Sequence, residues 1–491
     1  MVPRGVGHLA ALGHRRLETH FPWLVGLLVL GYVALHWSQP VILAPDSHGY
    51  LQFSAHRTAG YPLFLWAVDA LFGSADAAPK VQLVIAAGAF AFLGWGLHRA
   101  SGSLFFSLAA VMALVLYPRI VDLHGYILTE SIFISLLSLM TGSIALACHR
   151  ASWRWAAVSA LACGLAIAVR PAGLSLLVVW PLLFWLMWRR WRGQRLVMVA
   201  AVAVPVALCL IGESMVWHAH HDSGARPNLA DRHLFAKALV IEPQPRIADP
   251  ELAAIVAVGR EVMAPARALT ANAPSLFARS SLLRAFEVTA QHRTYGEAFS
   301  PLVRGLARQR GVGEYRLLAQ IGRPAMLSEP VAWVGNAITH YLGRWSWAFA
   351  TPVTRKEFQS YIDGTEPNPL FEGVPLFRLG VPPGSWSGFA FRLAMGIPAL
   401  LILVAVPLAV WQRFGRSCSD SRLEVAAISA LAVHTHLLFS GTFGVMVGRY
   451  ADAMAPLAVA AGALLAGWVL HRLRLPAAKL VATIRNRATR Q

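Results

Sequence analysis

The sequence predicts an all-α polytopic membrane protein, a bundle of about ten transmembrane helices, and two observations carry that class. Of its 491 residues, 56% are hydrophobic and only 14% charged, against roughly 25% charged in a soluble globular chain. Apolar stretches approaching the ~20 residues that cross a bilayer core recur along the chain. In order they are 22–41, 80–98, 103–117, 127–147, 153–169, 173–188, 195–217, 388–411, 423–440 and 448–470. The third and sixth are short, which sets a range of nine to twelve.

The net charge of +19 invites a nucleic-acid reading, but the placement of the charge argues against it. With the N-terminus inside, the cytoplasmic segments hold nineteen Lys and Arg residues, among them Arg15, Arg16, Arg99, Arg150, Arg189 and Arg413. The short outer loops hold five: Arg57, Lys80, Arg119, Arg170 and Arg449. That asymmetry is the positive-inside pattern, so both termini are expected in the cytoplasm and no nucleic-acid partner is expected. The first apolar segment follows a basic start without a convincing small-x-small cleavage site, and it reads as an uncleaved signal anchor. Cys148, Cys163, Cys209 and Cys418 fall in helices or on the inner side, leaving no disulfide framework or CxxC metal site outside.

Three regions emerge from this pattern. Residues 1–217 form a seven-helix module, 218–387 an external domain, and 388–491 a three-helix membrane module with a basic cytoplasmic tail. The external region is expected to be mainly helical, because apolar residues recur at helical spacing in Leu234, Ala238 and Ile241, again in Leu282, Leu283 and Phe286, and in Leu302, Val303 and Leu306. Its tail, 364–386, is rich in Pro and Gly and reads as loop. The stretch HYLGRWSWAFATP, 340–352, mixes Trp, Tyr and Arg in the manner of the headgroup zone. No internal repeat is visible, so the inverted-repeat signature of many secondary transporters is missing.

The acids sort toward the outer face. Asp46, Asp69, Asp76, Asp122, Glu130, Glu213 and Asp452 lie on or near it, whereas the inner face has Glu18, Asp420 and Glu424. A carboxylate at the centre of a lone helix costs about 2.5–3.5 kcal/mol on insertion scales, so chemistry is expected to face outward. Asp46 opens the polar stretch PDSHGYLQFSAHRTAGYPLFLW. It either caps a short interfacial helix running through Tyr50 and Phe53 or serves as a general base toward a hydroxyl. Glu130 either complements the dipole of its helix, or Glu130 or Asp122 orients a substrate hydroxyl, positions a histidine, or binds a divalent ion together with Asp46.

The order of these features resembles a known family. A first helix, the stretch from Pro45 to Trp66, LYPRIVDLHGYILTESIFISLLSL at 116–139, AVRPAGL at 168–174 and GRYADAMAPL at 448–457 together resemble the GT-C superfamily. These are membrane glycosyltransferases that use polyprenyl-phosphate sugars, with protein mannosyltransferases and lipid A aminoarabinose transferases among them. The resemblance implies a GT-C-like bundle with interfacial helices in the first external loop. It implies an essential first-loop aspartate at Asp46, where family members sometimes carry an acid pair and this chain has Asp46-Ser47.

The chemistry implied by the resemblance is an inverting transfer from a lipid-linked donor to an extracytoplasmic glycan, lipid or protein. The departing phosphate needs positive charge and hydrogen-bond donors aimed at it, and Arg suits phosphate through its planar fork. The donor-binding candidates are Arg449, Tyr450, Arg170, Arg57, His48 and Tyr61. Arg449 would otherwise partner Asp452, and Arg170 would otherwise snorkel before Pro171. One base suffices for a single displacement, unlike the two carboxylates of glycoside hydrolysis. The cluster HAHHD at 218–222 and the pair His434 and His436 point in divergent directions, and the superfamily contains both metal-dependent and metal-independent members, so metal dependence stays open.

Rival readings are a lipid or glycan transporter or flippase, and a non-catalytic envelope assembly protein. A transporter calls for ionisable groups at the midplane, where the helix centres here are almost free of charge. A cytoplasmic nucleotide-sugar enzyme would want an Asp-x-Asp pair, and none occurs. The Ala- and Arg-rich composition and the absence of Asn-x-Ser/Thr in the outer segments point to a bacterial cytoplasmic membrane, with the active site on its outer face.

Overall fold

The computed structural model describes residues 4–44, 46–221, 226–273, 279, 300–345, 401–414, 420–444 and 451–488. The expected loop at 364–386, the start of the span at 388–411, and Arg449 with Tyr450 lie outside them. The chain is an all-α polytopic membrane protein. Among the described residues the extended pairing is a single parallel bridge between Ile42 and Tyr126.

The chain contacts cluster into two units. The first comprises residues 1–220, 397–433 and 452–491, and the second 221–396 and 434–451.

In the first unit, α1 (Arg4–His36), α4 (Ala78–Ser101), α5 (Leu104–Val115), α7 (Thr129–Arg150), α8 (Trp153–Val169), α9 (Val179–Met187) and α10 (Arg195–His220) are the apolar helices of the N-terminal half. Short elements lie between them: α2 (Ser47–Leu51), α3 (Gly60–Phe72) and α6 (Pro118–Gly125). Helix α7 is the axis, with 94% of its apolar window buried, while α10 has only 17% buried and turns Leu196, Leu208 and Met215 outward. Close approach of α4 to α7 depends on paired glycines. A Cβ on Gly96 would stand 2.5 Å from the carbonyl oxygen of Gly142, the small-residue contact that lets membrane helices pack backbone to backbone.

Among the described residues, five helices are long and apolar enough to cross a membrane: 75–101, 129–150, 195–220, 421–443 and 455–472. The other expected spans are shorter apolar helices or incompletely described. The first ends at His36 rather than at residue 41, because Pro40 has no N–H to donate and the chain turns extended to pair with Tyr126. The expected span at 173–188 begins as a 3-10 helix over Pro171–Val178 before continuing as α9.

The second unit contains α11 (Leu229–Ala238), α12 (Pro250–Val262), α13 (Ala264–Ala271), α14 (Ser300–Gln309), α15 (Glu314–Ser328) and α16 (Pro330–Trp345). Its core gathers Phe235, Leu252, Val256, Val303, Leu317, Leu318 and Ile321. Gly322 lets α15 press on α11, since a Cβ there would meet Leu234 Cβ at 2.7 Å. Arg323 donates to both oxygens of Asp231 beside that contact. Three helices complete the description: α17 (Leu401–Phe414), α18 (Ser421–Phe443) and α19 (Ala455–Ala488).

Candidate active site

The site is built by two backbone seams in the first unit. The segment after α1 lies against the segment after α6, where Ile42 N–H donates to the Gly125 carbonyl at 2.9 Å and Ile127 N–H to the Ile42 carbonyl at 3.2 Å. Ser47 Oγ extends the seam by donating to the Ile127 carbonyl at 2.9 Å. The other faces of the same short segment are held by Gln82 of α4, whose Nε2 donates to the carbonyls of His124 at 3.3 Å and Tyr126 at 3.0 Å. Four successive carbonyls, 124 to 127, are therefore each satisfied by a distant donor, the accounting that a buried backbone requires. The seam holds the segment of Asp46 and Ser47 against the segment leading into α7, where Glu130 lies three residues after Ile127.

The second seam joins the loop before α3 to the end of α8. Thr58 Oγ1 donates to the Val169 carbonyl at 2.9 Å. Gly60 is required by this approach, because a Cβ would lie 2.6 Å from the Ala168 carbonyl. Arg57 and Arg170 are thereby set on the same side as the two acids.

Two ion pairs result. Arg57 Nη2 lies 2.8 Å from Asp46 Oδ1, while its Nη1 donates to Tyr50 Oη at 3.1 Å and the guanidinium stacks 4.3 Å from the Tyr50 ring centre. Gly49 leaves room for it, since a Cβ would press on Arg57 Nε at 2.9 Å. Arg170 Nη1 lies 3.0 Å from Glu130 Oε1, and that carboxylate is 2% exposed. Loss of water pushes the buried Tyr50 hydroxyl above its ordinary pKa, and the charges of Arg57, Glu130, Arg170 and Asp46 all act on it. The two pairs thus meet electrostatically at one phenol.

These contacts choose between the alternative readings of several residues. Asp46 sits at the N-cap position of α2 yet makes no side-chain cap bond; its carboxylate goes to Arg57. The helix it was expected to cap stops at Leu51, with Phe53 in a left-handed conformation at φ 45°. Arg170 is buried against Glu130 rather than snorkelling. Tyr61 is fully buried and donates to Gln82 Oε1 at 2.9 Å, which makes it part of the framework. His48 and Asp122 are exposed, and the charge of Asp122 reaches His36 at the end of α1.

Gln82, Ser47 and Tyr50 were not among the residues expected at the site. The lone amide inside the apolar run after Lys80 was the available signal for Gln82. Two other acids expected at the outer face have specific partners: Glu213 Oε1 accepts from Ala59 N–H at 2.8 Å at the start of α3, and Asp452 accepts a hydrogen bond from Tyr117 Oη. Among the described residues no three His, Cys, Asp or Glu side chains gather into a metal site. His220 stacks on Phe53 and His218 stands edge-on to Trp217, whereas His434 Nδ1 meets Tyr341 Oη at 2.7 Å.

The helices define a class, that of multi-pass membrane proteins. No protein-family model matches the sequence, and no curated protein matches it. The chain is similar to a solved structure, the crystal structure of ArnT from Cupriavidus metallidurans in the apo state, at 13% identity over 87% of this chain and 78% of that one. Its TM-score is 0.30, too loose a likeness to carry any inference.

Proposed function

We propose that the chain is a GT-C-like glycosyltransferase of the bacterial cytoplasmic membrane that moves a sugar from a polyprenyl-phosphate donor to an extracytoplasmic glycan, lipid or protein. The observation that carries this reading is the convergence of the Asp46–Arg57 and Glu130–Arg170 pairs on Tyr50. Asp46 is the general base: Arg57 holds its carboxylate in place, and its partial exposure leaves it open to an incoming alcohol. The alcohol oxygen attacks the anomeric carbon as Asp46 takes its proton, the bond to phosphate oxygen breaks, and the configuration inverts. The phosphate departs as an anion, so it needs donors rather than an acid. Arg57, 2.8 Å from Asp46, is one such donor; Arg449 and Tyr450 are proposed as others on the sequence alone. Glu130 and Arg170, buried and paired, hold the floor of the site.

The test is mass spectrometry of lipids that co-purify with the detergent-extracted protein. Polyprenyl phosphates are expected with the wild type and depleted in Arg449→Ala. Bulk phospholipid alone would overturn the donor assignment.

A further inference from the structure

Helix α16 has its polarity reversed. Among the side chains described, its exposed residues are Pro330, Val331, Val334, Gly335 and Ile338, none of them polar, and the last four recur at the 3, 4 and 7 spacing of one helical face. Its buried face carries Thr339 and His340 beside Trp333 and Ala337. Helix α15, directly before it, has the ordinary arrangement through Ala325: Arg316, Gln320 and Arg323 are exposed while Leu317, Leu318, Ile321 and Ala325 are buried, and Leu327, exposed near its end, adjoins the apolar stripe of α16 in sequence. A water-facing helix puts its polar side out, so two consecutive helices of the same unit are built for different solvents.

The neighbour of α16 says which solvent. Trp333 clusters with Phe443, a Cβ on Gly441 would lie 3.1 Å from His340 Cβ, and Tyr341 Oη meets His434 Nδ1 at 2.7 Å. Along α16 the contacts climb from 333 to 341 while along α18 they descend from 443 to 434, so the two helices run antiparallel over more than two turns. Helix α18, Ser421–Phe443, is apolar and long enough to cross a membrane, and α16 lies along its C-terminal half. At 16 residues and ~1.5 Å per residue, α16 is about 24 Å long, short of the ~30 Å hydrocarbon layer.

From this reversed face and its position along a span we infer that α16 is set into the apolar layer of the membrane as a partial span, with Val331, Val334, Gly335 and Ile338 against lipid acyl chains. An exposed stripe with Val331 at 85% and Val334 at 57% exposure is then ordinary lipid-facing surface, whereas in water it would be an association liability. This placement of α16 is independent of the sugar transfer assigned to the first unit.

The full chain in nanodiscs of phosphatidylcholine carrying a photoactivatable acyl chain provides the test. Lipid adducts are expected on the peptide spanning 331–338 and not on the exposed α15 positions, and Val334→Cys and Ile338→Cys should react with a membrane-impermeant maleimide at least tenfold more slowly than Gln320→Cys. Equal maleimide rates without lipid adducts would overturn the inference, as would crosslinks from this stripe to residues 346–400 of the chain in place of lipid.

Discussion

Glu130 and Arg170 face each other at 3.0 Å where the start of α7 meets the end of α8, in surroundings that leave the carboxylate 2% exposed. Removing one member of a buried ion pair strands the other charge and costs about 3–5 kcal/mol. Arg170→Met should lower the melting temperature of the detergent-solubilised protein strongly, and adding Glu130→Gln should recover part of the loss. A single variant as stable as the wild type would mean that water reaches the pair.

Asp46 presents the opposite case. Its side chain is 36% exposed against 14% for Arg57, and a partly solvated pair contributes less than a buried one, with fully exposed pairs at about 0–1 kcal/mol. Asp46→Asn should therefore melt close to the wild type while losing glycan transfer by at least a hundredfold. Unchanged transfer with normal expression would remove Asp46 from the mechanism. Arg57→Lys keeps the charge but not the fork that reaches Asp46 and Tyr50 together, so intermediate activity is expected.

Gln82 separates the value of a framework from the value of one bond. Tyr61→Phe deletes a single hydrogen bond, about 1 kcal/mol. Gln82→Leu leaves a buried hydroxyl without its acceptor and two backbone carbonyls without their donor, at about 1–3 kcal/mol for each unsatisfied group. Gln82→Glu adds a carboxylate facing two carbonyl oxygens. Melting temperatures should fall in that order, and an indistinguishable Gln82→Leu would show that the seam is held by other bonds.

A pH prediction falls in the second unit. The Arg310 hydrogen bond lowers the Asp249 pKa from 3.8 to about 2. Because the folded value is the lower one, the contribution of this group is complete above about pH 4 and disappears as pH falls through about 2. Asp249→Asn should be less stable than the wild type near neutral pH, and the gap should close on acidification across that window, as read by unfolding scans at several pH values. A gap that persists at the acid end would assign the effect to the cap bonds that Asp249 makes with Glu251 and Leu252 N–H.

The membrane class and the helical character were legible in the sequence because hydropathy is a sum over many residues. Asp46, Arg57, Glu130 and Arg170 were legible as polar residues near span ends, but their pairing was not. Arg57 reaches back eleven residues and Arg170 back some forty from the end of another helix, and neither separation matches a local period. Span length was overestimated at 22–41 and misread at 173–188, since hydropathy does not register a proline that ends hydrogen bonding or a tighter helical winding. Gln82 escaped notice because one amide in an apolar run changes no average.

The clamp at residues 124 to 127 has a consequence for how such proteins drift over time. The four main-chain oxygens accept their bonds whatever side chains surround them, while the donors Gln82 and Ser47 are tied to their chemistry. Distant cousins of this chain should accordingly keep an amide in the second span and a hydroxyl after the acid, and tolerate change at half-buried Tyr126 more readily than at buried His124 and Ile127.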